Sequence, residues 1–225
     1  TLELIARTLF PFGAVVGFVV GIAALGFLGD PPETAVLVIG LPTLPFHLRL
    51  DTLTAVFALL IGFASLGISV YAAGYFRKGE GTPPGLLCLE YHVFLASMVG
   101  VAISPNFLQL FFFWELMAAS SFILVMYEYD HAETRKAGIF YFIMTQLSTM
   151  FVLLGILALY VQTGSISLSA TGSPATPLII VAFLSLFAGF SIKVDNFILW
   201  NIHGKEMRDR KSHHHHGKDQ DQVHT

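Results

Sequence analysis

Two residues of this sequence have chemistry that their surroundings do not invite. Glu115 lies in Phe113-Trp114-Glu115-Leu116-Met117, and Lys193 follows Ala188-Gly189-Phe190-Ser191-Ile192. Each is an ionisable side chain inside a long apolar run. A charge at the centre of a membrane helix costs roughly 2.5–3.5 kcal/mol on insertion scales, so such residues face a bundle interior or water and mark ion or proton paths. An acid and a base together suggest a pair. An opposite charge close by favours the charged form of each partner while burial favours the neutral form. That competition makes proton affinity responsive to small movements, as a relay requires. The plainer alternative is a structural ion pair joining two helices, and both readings stand at this point.

Weaker candidates surround them. Gln146 and Thr149, three residues apart, share a helix face within the polar stretch Thr145, Gln146, Ser148 and Thr149. Hydrogen bonding between helices explains that stretch, and hydration of a proton path explains it equally well. Glu90 and His92 open an apolar segment where a long side chain can snorkel to the interface. An interfacial position is the simpler account of them; proton uptake is the functional one. Ala118 and Ala119, three and four residues after Glu115, would let another helix come close. Asp195 stands two residues from Lys193, a spacing that does not face it on a regular helix.

The elements that must position these residues follow from composition. The chain has 225 residues, 55% hydrophobic and 12% charged, against about 25% charged in soluble domains. Of its 12 basic and 15 acidic residues, nine fall between Lys205 and Asp221, so the rest of the chain cannot build a water-facing surface. The fold class expected is an all-α integral membrane protein. Six segments are long enough to span, near 5–28, 53–75, 86–104, 107–127, 134–161 and 177–201. The first is span-length rather than the shorter core of a signal peptide. No alternating pattern of the β-barrel kind recurs.

The connection from Ala35 to Leu50 is different. It is broken by Gly40, Pro42 and Pro45 and ends in the alternation Phe46-His47-Leu48-Arg49-Leu50-Asp51, which predicts a short extramembrane hairpin. The division expected is a first helix in 1–34, the hairpin in 35–52, a membrane domain in 53–201 and a disordered polar tail in 202–225. Arg77–Gly85 and Glu128–Glu133 read as polar turns, and Thr163–Pro174 as a flexible loop. Arg77, Lys78, Arg135, Lys136 and the basic tail fall on one side of the membrane, and Arg49 on the other. The positive-inside rule then predicts both ends cytoplasmic and the hairpin outside, with a prokaryotic cytoplasmic membrane as the setting.

Other chemistries find little support. The single cysteine, Cys88, allows no internal disulfide and no cysteine-ligated cluster within the chain. There is no haem-type histidine pair on the spans, no nucleotide loop and no Walker lysine. His213–His216 in the tail reads as adventitious sequence before it reads as a metal site. No cofactor is expected, and a net charge of −3 offers nothing to a nucleic acid.

The stretch Asn106–Tyr160, with Trp-Glu-Leu-Met on a helix, resembles the antiporter-like proton-pumping subunits of respiratory complex I, membrane hydrogenases and Mrp cation/proton antiporters. Phe46–Phe57 (FHLRLDTLTAVF) matches the same family's hairpin and following helix. Glu133–Gly138 (ETRKAG) looks nearest to the hydrogenase-4 and formate hydrogenlyase membrane subunits. The resemblance implies inverted repeats with a broken helix near a key lysine. It further implies that Glu115 tunes the proton affinity of Lys193, which carries or gates the proton. Redox chemistry, where it exists, then sits in other subunits of a multisubunit complex. An alternative within the resemblance is a secondary cation/proton antiporter moving protons against sodium. After Lys193 the family continues through a Pro-containing turn to His and Trp-Leu-Pro. This chain instead reads Val194-Asp195-Asn196-Phe197 and passes into a charged tail, as a truncated or shifted reading would. The repeat expected is therefore incomplete, Lys193 is the last position carried over, and a non-transporting remnant is the third reading.

Overall fold

In a computed structural model the described residues form a set of long helices with one hairpin. It describes residues 2–41, 44–75, 84–127, 129–168 and 176–194. The order is α1 (Leu2–Gly26), β1 (Glu33–Leu41), β2 (Leu44–Leu50), α2 (Thr52–Tyr75), α3 (Pro84–Ala102), α4 (Phe107–Val125), α5 (Ala132–Thr163) and α6 (Pro177–Val194). All six helices are long and apolar enough to cross a membrane. Their outer faces are large hydrophobic side chains left uncovered, such as Met150 at 68% and Phe183 at 65% exposure. Water would not tolerate that surface; lipid tails would.

Local chemistry explains where the elements start and stop. Asn106 is extended (φ −134°, ψ 155°), and its side chain accepts a hydrogen bond from the Gln109 N–H, which caps α4. Asp51 does the same for α2, accepting from the Thr54 N–H at 2.8 Å and from the Thr54 hydroxyl at 2.9 Å. Gly164 ends α5 in the left-handed region at φ 67°, with its N–H on the Tyr160 carbonyl. With 32 residues α5 is about 48 Å long. That exceeds a hydrocarbon core of about 30 Å, so the helix must tilt or project.

The hairpin is antiparallel, pairing Glu33 with Leu50, Val36 with His47 and Leu37 with Phe46, with an irregularity before Gly40. It is tied to the helix ends rather than hanging free of them. The Arg49 N–H donates to the Ile103 carbonyl at 2.9 Å. The Gln109 amide extends the strand, donating to the His47 carbonyl at 2.9 Å and accepting from the His47 N–H at 3.3 Å. Phe46 meets Phe113 edge to face.

Helices approach where side chains are small. On α1 and α2, a Cβ added to Gly62 would stand 2.6 Å from the Gly17 carbonyl oxygen, so only glycine fits that contact. On α5 and α6, the Ser148 hydroxyl donates to the Gly189 carbonyl at 2.6 Å, and Ala158, Leu159 and Ala182 form a buried cluster with Phe107.

Several boundaries shift from expectation. The fifth span is longer at both ends than 134–161, running from Ala132 to Thr163, where the left-handed Gly164 ends it. Part of the segment expected as a flexible loop is pinned: the Phe107 N–H bonds the Ile166 carbonyl and the Leu168 N–H bonds the Pro105 carbonyl. Backbone pairing of Asn106 with Ser167 makes this a strand-like contact. The sixth span is described as far as Val194. Of the turn expected at Arg77–Gly85, Pro84 and Gly85 already belong to α3, and its other residues, like Asp195 and the tail with His213–His216, lie outside the described residues.

Candidate functional site

Helices α4, α5 and α6 converge on the two ionisable residues. Glu115 projects half-buried from the middle of α4, and Thr149 of α5 donates a hydrogen bond of 2.6 Å to its Oε1. Gln146 lies one turn earlier on α5 and is also half-buried. Among the described residues it is Thr149 that bonds the carboxylate. A carboxylate needs donors when water is scarce, and one strong hydroxyl donor from a neighbouring helix both stabilises and aims it.

Lys193 comes from the last described turn of α6. Its Nζ is buried and has no hydrogen-bond partner among the described residues. It stands 4.2 Å from the centroid of the Trp114 ring, a cation–π contact. Trp114 is 6% exposed, and Phe190, three residues before Lys193, meets it edge to face at 5.0 Å. The opposite charge, Glu115, is the next residue after Trp114 on α4. The two charges nevertheless form no ion pair within 4 Å: one ends on Thr149, the other on Trp114. The arrangement is an acid and a base held near one another on separate supports.

The remaining sequence candidates lie elsewhere. Gly100 of α3 is opposite Phe113 of α4, which places Glu90 roughly 12 Å along the helix axis from the level of Glu115. Glu90 is half-buried and does not join the pair. His92 is not snorkelled to an interface as the simpler account had it. Its Nδ1 is 2.7 Å from the Cys88 carbonyl oxygen, while Nε2 is buried against Gly13 of α1 with no hydrogen-bond partner among the described residues. The reason is the gap left by Gly13, which an imidazole fills. Ala118 is buried at the helix interface as expected, whereas Ala119 is exposed. Among the described residues no cluster of three or more His, Cys, Asp or Glu could hold a metal.

Two features had no forerunner in the sequence reading. Trp114 was part of a motif but not a partner for Lys193; its place one residue before Glu115 was the available signal. Tyr141 of α5 and Ser121 of α4 share a hydrogen bond of 2.7 Å between their hydroxyls. Only the antiparallel register of the two helices brings them together.

Comparison with known proteins agrees with this architecture. Residues 104–201 match the family model described as NADH:quinone oxidoreductase/Mrp antiporter, TM. Residues 37–83 match NADH-Ubiquinone oxidoreductase (complex I), chain 5 N-terminus. An antiporter subunit mnhA2 of Staphylococcus haemolyticus (strain JCSC1435) is 35% identical over 121 residues, covering 54% of this chain and 15% of the relative. Its namesake in Staphylococcus epidermidis (strain ATCC 12228 / FDA PCI 1200) is 31% identical over 134 residues, 57% of this chain and 17% of the relative. The chain thus matches about one sixth of the length of these curated relatives. Among solved structures, a chain of an archaeal membrane-bound sulfane sulfur reductase superposes with TM-score 0.65 at 19% identity, over 84% of this chain and 42% of the other. A chain of the Mrp complex from Dietzia sp. DQ12-45-1b superposes with TM-score 0.63 at 22% identity, over 82% and 21%. These two likenesses are of fold. The two family models together cover more than half of the chain, and the six apolar helices among the described residues agree with them. The chain belongs to the antiporter-like membrane subunit family of complex I and the Mrp antiporters, and it is an integral membrane protein.

Proposed function

We propose that this chain carries the proton-transfer pair of a cation/proton-translocating membrane subunit, with Lys193 as proton carrier and Glu115 as the charge that controls it. The observation that carries this reading is the placement of both ionisable groups in one apolar seam, Lys193 on the ring of the residue next to Glu115 yet each on a separate support. When the carboxylate draws the ammonium, the proton is retained. When the carboxylate is neutralised or turned away, a desolvated ammonium has less to hold its charge and gives the proton up. The hydroxyl of Thr149 decides which way the carboxylate faces. Orientation follows the basic residues, with the hairpin on the outer side.

The names of the staphylococcal relatives favour an antiporter subunit, and a family description and one solved structure of like fold point to the Mrp type, in which a cation gradient balances the proton movement. The second reading, a subunit of a redox-driven complex of the complex I or hydrogenase kind, is supported by the family descriptions and by the fold shared with a respiratory membrane complex. Ion dependence separates them in membrane vesicles that carry the assembled complex. Sodium- or potassium-linked proton movement without an electron donor supports the antiporter; movement only on addition of a donor supports the redox complex. In either setting Glu115→Gln should cut translocation per assembled complex by roughly 100-fold, the scale of a lost acid–base group. Unchanged translocation in that variant, at normal membrane insertion, removes the pair from the mechanism.

A further inference from the structure

We propose that Trp114 is a positioning residue for Lys193: its indole face is the resting seat of the ammonium, distinct from the carboxylate station at Glu115. The proposal rests on the transfer role assigned to Lys193 above.

Three observations carry it. The Nζ of Lys193 is buried, has no oxygen partner among the described residues, and lies 4.2 Å from the ring centroid. A desolvated cation in that position is held by the negative face of the ring. The indole N–H of Trp114 is likewise buried and makes no hydrogen bond among the described residues. The residue is therefore not placed there for its polar edge; the structure uses its face. Finally, Phe190 braces the ring from the same helix that carries Lys193, so α6 both supplies the cation and fixes the surface under it.

Trp114 and Glu115 are adjacent in sequence, so α4 offers two stations about 100° apart around its axis. A lysine with four rotatable bonds can pass from one to the other without moving either helix. The ring thus keeps a charged lysine inside the seam while leaving the carboxylate on Thr149 without an ion partner. A side chain that merely filled volume would not hold the ammonium in this way.

The chain contains two tryptophans, Trp114 and Trp200, so Trp200→Phe leaves Trp114 as the single emitter. In nanodiscs, Lys193→Met in that background should alter the emission of Trp114, because it keeps the packing and removes the charge. Lys193→Arg, which keeps a cation over the ring, should restore the parent spectrum. An emission unchanged by Lys193→Met overturns the seat. In vesicles with the assembled complex, Trp114→Phe should keep translocation within about threefold of the parent, while Trp114→Leu should lose about tenfold, since only the first retains an aromatic face. Equal losses in the two overturn the proposal as well. Full translocation by the Lys193→Met complex would instead remove the transfer role of Lys193, whatever the emission shows, so the two failures are distinguishable.

Discussion

The seam between α1 and α3 and the seam among α4, α5 and α6 both bury an ionisable side chain, and they do so in opposite ways. His92 rests on its own helix: its Nδ1 lies on the carbonyl of Cys88, one turn back, and Gly13 of α1 merely leaves room for the ring. Beside it, Tyr91 donates to the Ser65 carbonyl at 3.2 Å and lies 3.2 Å from the Ser69 hydroxyl, closing a small polar patch on α2. Glu115 and Lys193 each depend on another helix, one for a hydroxyl from α5 and the other for an aromatic face from α4. A group held by its own helix keeps its surroundings when neighbouring helices shift. A group held by a neighbour changes its surroundings with every shift, and that is the condition for coupling a proton to a conformational change.

This contrast can be broken by experiment. Its largest consequence beyond the charges themselves concerns Thr149. Replacing Thr149 by Ala removes the hydrogen bond to the carboxylate, a contact to a charged group worth about 1.5–3 kcal/mol. Translocation per assembled complex should fall roughly tenfold and recover in Thr149→Ser. If alanine and serine behave alike in a vesicle proton-uptake assay, the carboxylate does not depend on its neighbour helix.

A smaller effect is expected at His92. His92→Leu keeps the space beside Gly13 filled; it discards Nε2, which has no partner among the described residues, and an Nδ1 contact to the carbonyl of Cys88 on its own helix. Thermal stability in nanodiscs should change by no more than about 1 kcal/mol, and translocation should stay near the parent value. A loss comparable to that of Glu115→Gln would erase the distinction between the two seams.

The last effect concerns stability rather than translocation and belongs to Asp51, another group set by its own helix start. Its carboxyl is held below the ordinary value of 3.8, first by the Thr54 N–H, with burial opposing, and further by the Thr54 hydroxyl and by Arg49, whose guanidinium is 3.1 Å away. A lowered carboxyl stabilises the fold above pH 3.8 and loses that contribution as pH falls through the folded value. Asp51→Ala should therefore cost about 1 kcal/mol near neutral pH, and the gap from the parent should narrow below pH 4. Melting curves across that range would show it, and a gap that widens in acid would contradict the cap.

The six spans, the hairpin and the two charged residues were legible in the residues alone, each for a physical reason. A lipid interior demands uninterrupted apolar runs with internally bonded backbone, so spans announce themselves by length. The alternation from Phe46 to Asp51 marks a strand because its two faces meet different surroundings. Glu115 and Lys193 stand out because charge in an apolar run is costly. None of these depends on a distant part of the chain.

Tertiary structure decided everything that requires two helices to present particular faces. That Glu115 meets Thr149 rather than Gln146, that Lys193 rests on Trp114, and that His92 turns toward Gly13 follow from rotations and registers between helices. So does the pinning of Ile166 and Leu168 against Pro105–Phe107, which composition alone presented as a loose loop. Sequence spacing sets which residues share a face of one helix, but the choice of facing helix is made by packing: small residues such as Gly17, Gly62 and Gly189 allow close approach only in certain registers. The charges were therefore determined by sequence, and their partners by the fold.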